Sequence, residues 1–166
     1  MKNKKLLIII GIVVLLISIC FFSISNLKKE DGSTIDSREN ILKEQDSFMH
    51  ITSEIELDNY LIGAITSNNK IGISIFESEK NGKYRFLMQL LTTEDVVFHT
   101  FKEYDLFWCN KEDLDYAMVT YTVEGIVQEP IKIDVKDYKV SYLKSPQAKS
   151  YSYKVEYYDK NGNVIK

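Results

Sequence analysis

Cysteine is nearly absent from this chain, and the absence narrows its chemistry. Cys20 and Cys109 are the only two, and Cys20 lies in an apolar run near the N-terminus. The remaining chain therefore has a single thiol and cannot close an internal disulfide. Histidine is as scarce: His50 and His99 stand far from each other and from both cysteines, which excludes a Cys/His zinc site of the usual spacing. The chain also lacks a Gly-x-Ser-x-Gly elbow, a Ser-x-x-Lys pair and a His-Glu-x-x-His helix, so it offers none of the common hydrolase signatures. It carries no cofactor or metal motif, no internal repeat, no low-complexity tract and no long block of like charge.

What is present falls into two unlike parts. From Leu6 to Ser25 there are 20 consecutive uncharged residues, of which only Gly11, Ser18, Ser23 and Ser25 are not apolar. A helix crosses a bilayer core with about 20 such residues, whereas the apolar core of a signal peptide is about 7–15 long. The length predicts a retained transmembrane helix over 6–25. Lys2, Lys4 and Lys5 precede it, so the positive-inside rule holds residues 1–5 in the cytoplasm and sends the C-terminal part outside, although Lys28 and Lys29 reduce the asymmetry. Two processed alternatives stay open. Ser23-Ile24-Ser25 offers small residues for cleavage before Asn26, and Ser18-Ile19-Cys20 has the outline of a lipoprotein site, with Ile19 where a small residue belongs. All three place the rest of the chain outside the cytoplasm. A five-residue tail cannot fold into a domain, and Gly11 has no small partner at the spacing that pairs membrane helices.

After a polar spacer over 26–36, the residues 37–166 suffice for one domain of ordinary size. The chain is 45% hydrophobic and 12% aromatic with only two prolines, enough apolar material to offset the entropy of ordering. The formal charge is −3, and removing the +3 of Lys2, Lys4 and Lys5 leaves −6 on the remainder. A mildly acidic domain argues against nucleic acid as a partner.

Asp36, three residues before Glu39, has the spacing of a capping box, and Ile41, Leu42, Gln45, Phe48 and Met49 follow at helical intervals. An amphipathic helix is expected over 37–50, packed on its own domain. Beyond Tyr60 the period becomes two. Ile71, Ile73 and Ile75, then Ala117, Val119, Tyr121 and Val123, then Ile131, Ile133 and Val135, then Tyr151, Tyr153, Val155 and Tyr157 each alternate with other residues. That pattern predicts half-buried antiparallel strands. Asn81-Gly82 and Asp159–Asn163 read as hairpin turns, with further turns at Asn68-Asn69, Thr92–Asp95 and Glu112–Asp115. The expected architecture is mostly β: a small antiparallel sandwich or curled sheet of roughly seven to nine strands over 52–166.

Candidate chemistry is thin. Cys109 with His99 lacks an orienting third group, and reads as a small buried thiol beside Trp108 and an ordinary histidine. Glu94-Asp95 and Glu112-Asp113 are carboxylate pairs set in polar turns, where solvation is their ordinary fate. Asp159–Asn163 superficially matches a calcium loop, but its Gly comes fourth rather than sixth, so a hairpin turn accounts for it. Aromatics give the strongest signal, since six of the eleven tyrosines lie between Tyr138 and Tyr158. Exposed rings stack on sugars or anchor interfaces. Tyr151, Tyr153 and Tyr157 share the parity of a buried face, which leaves Tyr158, on the opposite parity, and Trp108, which follows Phe107, as the two ligand-binding candidates.

The lysine-flanked N-terminal run, the stretch Ile75-Phe-Glu-Ser-Glu-Lys-Asn-Gly-Lys-Tyr-Arg-Phe86 and the stretch Tyr157-Tyr-Asp-Lys-Asn-Gly-Asn-Val-Ile165 together resemble small uncharacterised membrane-anchored extracytoplasmic β-domain proteins of Gram-positive-type bacteria. The resemblance implies surroundings and architecture, not an activity. The expected function is a non-catalytic, membrane-tethered binding module, single-pass, with its domain outside the cell and an envelope protein or a cell-wall glycan as partner. The alternatives are an envelope enzyme with a site built from dispersed carboxylates, and a secreted effector or inhibitor released by cleavage after Ser25.

Overall fold

The computed structural model describes residues 31–135 and 139–165; the expected segments 1–5 and 6–25 lie outside these. No helix among the described residues is long and apolar enough to cross a membrane. From Gly32 onward the chain forms one compact unit, mostly β, with one α-helix and twelve strands in three antiparallel sheets among the described residues.

Helix α1 spans Ile35–Lys43. It starts earlier than the Asp36–Glu39 spacing indicates, because Thr34 is the cap: its Oγ1 accepts the Ser37 N–H at 3.1 Å. Asp36 in the first turn and Lys43 in the last complement the helix dipole. It also stops seven residues short of His50. Asp46 draws the chain into a turn by accepting the Phe48 N–H at 3.0 Å and the Ser67 hydroxyl at 2.6 Å, the local competition by which aspartate ends helices. Met49 is consequently buried from a loop and Phe48 is left exposed.

The first sheet has the order β1-β2-β3-β4, with β1 His50–Leu57, β2 Tyr60–Ser67, β3 Lys70–Ser78 and β4 Tyr84–Thr92. Its turns carry the residues that tolerate positive φ: Asp58 (53°), Asn68 (51°), and the Asn81-Gly82 pair (66° and 71°) read from the sequence. The second sheet is β10-β6-β5, with β5 Val96–Phe101, β6 Tyr104–Cys109 and β10 Ser141–Lys144. The third has β7 Tyr116–Val123 at its centre, flanked on one side by β11 Tyr151–Tyr158 and β12 Val164–Ile165, on the other by β8 Ile126–Val127 and β9 Ile131–Asp134. Short elements such as β8 and β12, two residues each, carry the total above seven to nine, being too brief to show a period.

Three apolar clusters stack these layers. Leu42, Met49, Ile51, Leu61, Ile65 and Phe76 join α1 to one face of the first sheet. Ile62, Ala64, Ile73 and Ile75 pack from its other face against Val97, Leu106 and Trp108 of the second sheet. Phe107 and Cys109, on the reverse of β6, pack against Ala117, Val119, Tyr121 and Ile133 of the third. All six residues of β6 are therefore buried, and Gly72 and Ser74, which alternate with the Ile71-Ile73-Ile75 row, are buried as well. This corrects the half-buried expectation for β3, which, like β2 and β6, is covered on both faces. Gly72 is required by close approach, since a Cβ there would lie 2.0 Å from the Leu90 carbonyl oxygen.

Candidate functional site

The two binding candidates read from the sequence have different fates. Trp108 is 0% exposed and belongs to the core between the first and second sheets, so no indole face is open for stacking. The cause is its place on β6, a strand covered on both sides. Tyr158 lies on the outer face of the third sheet, opposite Tyr116 in the β7–β11 ladder. The two rings stack with centroids 4.9 Å apart and planes 2° from parallel, and the Lys132 ammonium sits 3.8 Å from the Tyr116 centroid. Tyr116 takes up one ring face of Tyr158, and the core does not contain either ring.

The Cys109 and His99 pairing dissolves in the register. Val96 is opposite Cys109 and His99 opposite Leu106, so thiol and imidazole project from opposite faces of the second sheet. Burial pushes the Cys109 thiol up and the His99 imidazole down from their ordinary values, which disfavours both charged forms. Glu94-Asp95 and Glu112-Asp113 instead border two adjoining clefts, of about 320 and 480 Å³, which share Lys111, Leu114 and Ile165. The Asp159–Asn163 turn edges the second. Asp159 Oδ1 accepts the N–H groups of Asn161 and Asn163, both at 2.8 Å, and Oδ2 accepts the Asn163 amide, which holds its carboxyl below the usual range. Its lone pairs serve the hairpin. Among the described residues no group of three or more His, Cys, Asp or Glu is placed to hold a metal ion.

The third sheet has a different inner face. Its rows run Tyr151–Val123–Ile126, Tyr153–Tyr121, Val155–Val119–Ile131 and Tyr157–Ala117–Ile133. The Ala117 end is covered by Phe107 and Cys109. Toward the other end Tyr121 is still buried and Tyr151 and Val123 are half-buried, but residues flanking them open to solvent: Ile126 is 68% exposed, Tyr153 45% and Ile131 41%. Phe98 of β5 forms the near wall, its ring 3.8 Å from that of Tyr153 and 4.6 Å from that of Phe107. Beneath lies Asp105, 0% exposed, which accepts the Thr100 hydroxyl at 2.6 Å and the Tyr121 hydroxyl at 2.5 Å. Burial, and then this carboxylate, push the Tyr121 phenol well up, and burial does the same to Tyr153. Tyr153 thus departs from the buried reading of its parity: it keeps to the inner face, but the second sheet reaches it with the Phe98 ring and leaves it 45% exposed.

Ile126 and Phe98 were not singled out by sequence reasoning, and Ile131, read there as part of a buried row with Ile133 and Val135, is instead exposed. A signal for Ile126 exists in Glu124-Gly125, whose φ values of 50° and 85° make the two-residue turn that returns the chain onto β7. Asp105 has no such signal, since an aspartate inside a strand gives no sign of its burial or of its partners.

The chain matches no family model, and no similar protein is found among the curated proteins or the solved structures.

Proposed function

We propose that this protein is a non-catalytic binding module, tethered to the outer face of a membrane through Leu6–Ser25, which engages an envelope protein through the open inner face of its third sheet. The observation that carries the reading is that Ile126, Tyr153 and Ile131, from three strands around β7, are all exposed on the face of the sheet whose other end is core. A single apolar side chain on a surface needs no explanation, but three large ones on one sheet face that runs into the core mark an interaction surface. The face is built for contact: Tyr153 is held by Phe98, so an aromatic anchor is presented in a fixed orientation at little entropic cost on binding. Beneath it the donors and acceptors of Asp105, Thr100 and Tyr121 satisfy one another, so the face meets a partner mainly as shape and apolar area.

The test is crosslinking in intact cells followed by partner identification, in the native chain and in a double variant, Ile126→Ser with Ile131→Ser. The reading expects a discrete crosslinked species that the double variant loses while remaining folded and membrane-associated. Undiminished crosslinking in the variant would overturn the assignment of the face. Recovery of the chain in the soluble fraction, with an N-terminus at Asn26, would overturn the tether.

A further inference from the structure

We infer that α1 is an acid-releasable strap: it closes the outer edge of β1 through the Glu39 carboxylate and detaches from the first sheet without unfolding it. The inference rests on how the helix is held. Of its four buried residues, Ser37, Arg38, Glu39 and Leu42, only Leu42 is apolar, and the turn after it adds one more buried apolar side chain, Met49, whereas the sheet beneath is held by whole rows of isoleucine, leucine and phenylalanine. Charged contacts fasten the strap together with Leu42 and Met49, whereas apolar rows and their ladder hold the sheet, so protonation weakens the first and leaves the second.

The contacts converge on carboxylates. Glu39 Oε1 accepts the Ile51 N–H at 2.9 Å and lies 2.6 Å from His50 Nδ1, while Oε2 accepts the Lys43 ammonium at 2.9 Å. β1 is an edge strand, and its pairing with β2 shifts register between Ile51 and Ser53. The Ile51 N–H is thus an edge donor at an irregular point of the ladder, and Glu39 occupies it as a neighbouring strand otherwise would. A second clamp is Arg38 on Glu54 of β1, with Nε and Nη2 donating to the two carboxylate oxygens at 2.7 and 2.5 Å. The same guanidinium lies over the Tyr84 ring of β4 and donates to the Gly32 carbonyl. A third is Asp46 on the Ser67 hydroxyl of β2, with Lys70 nearby. The charged groups facing the strap are therefore His50, Glu54 and Lys70 from the sheet, with Arg38, Lys43 and Asp46 from its own segment.

Burial alone would raise the Glu39 pKa, but the Ile51 N–H, Lys43 and His50 outweigh it and hold the carboxyl below its ordinary value. A depressed carboxyl contributes stability above the ordinary glutamate range and loses it as pH falls through the folded-state value. Opening needs acid. The consequence is mechanical, because the N-terminal segment joins the domain at Gly32, just before α1. Release of the chain from Gly32 to Met49 frees a link that extends to about 60 Å, so the reach of the domain changes while its sheets stay folded.

Hydrogen exchange on the full-length chain, corrected for the intrinsic pH dependence of exchange, tests this at about pH 7 and about pH 4. The amides of α1 and Ile51 should lose protection on acidification, while those of β2 and β3 keep theirs. Glu39→Gln should show the lowered protection already at neutral pH and respond less to acid. The inference is overturned if α1 opens only together with β2 and β3, if its protection is unchanged by acid, or if Glu39→Gln keeps native protection at neutral pH.

Discussion

The phenolic hydroxyl of Tyr121 donates to Asp105 Oδ2 at 2.5 Å, joining the middle sheet to the third through a carboxylate that has no contact with solvent. Buried charge persists only when its lone pairs are met, and here Thr100 meets the other oxygen. Tyr121→Phe removes one donor and is expected to cost about 1.5–3 kcal/mol. Asp105→Ala orphans two hydroxyls and is expected to cost more. Urea denaturation gives both values, and a Tyr121→Phe variant as stable as the native chain would show that the hydroxyl contributes nothing there.

Alkali should destabilise the domain through its buried tyrosines. Burial pushes Tyr157 up to about 12, the hydrogen bond to Asp58 pushes Tyr104 up to about 12, and Tyr121 is raised further by burial and by Asp105. A raised pKa contributes stability that is complete below the ordinary tyrosine value and is lost as pH rises from there through the folded-state value. Melting temperature should therefore be flat from neutrality to about pH 9.5 and fall above about pH 10. Ultraviolet titration should show a late-ionising tyrosine class that merges with the early one on unfolding. A single class at the ordinary value in the folded protein would contradict the packing of these three rings.

Trp108, the single tryptophan, reports directly on the middle of the stack. Its emission is expected to be blue-shifted and nearly insensitive to acrylamide, and Trp108→Ala should cost about 3–5 kcal/mol. Gly72→Ala, a change of one methyl, should also destabilise severely, by about 3 kcal/mol or more, because the Leu90 backbone occupies the space. Tolerance of that alanine would place β4 elsewhere.

The fold was legible where one period governs one element. Strands stand where the period of two placed β3, β7, β9 and β11, with burial alternating as expected in β7, and the Asn81-Gly82 and Asp159–Asn163 turns reappear, because period and positive φ are local properties. What was not legible depended on layers. Trp108 looked like a surface ring, since nothing within Tyr104–Cys109 tells that both faces of β6 are covered; Tyr153 looked like core, since nothing within Tyr151–Tyr158 tells where the covering layer ends. The helix limits failed for a similar reason, as Asp46 stops α1 by reaching Ser67, twenty-one positions away. The open part of the third sheet depends on Ile126, Ile131 and Tyr153, set on one face from three strands by pairing that no local pattern encodes.

Tyr153 and Lys154 are adjacent in the chain but project from opposite faces of the third sheet, the first beside Phe98, the second opposite Thr120. A photoreactive residue placed at each in turn, in intact cells, is the most direct measurement of the central claim. The account predicts a discrete partner crosslinked from position 153 and little or nothing from position 154. Equal yields from the two, or a partner captured only from 154, would contradict it.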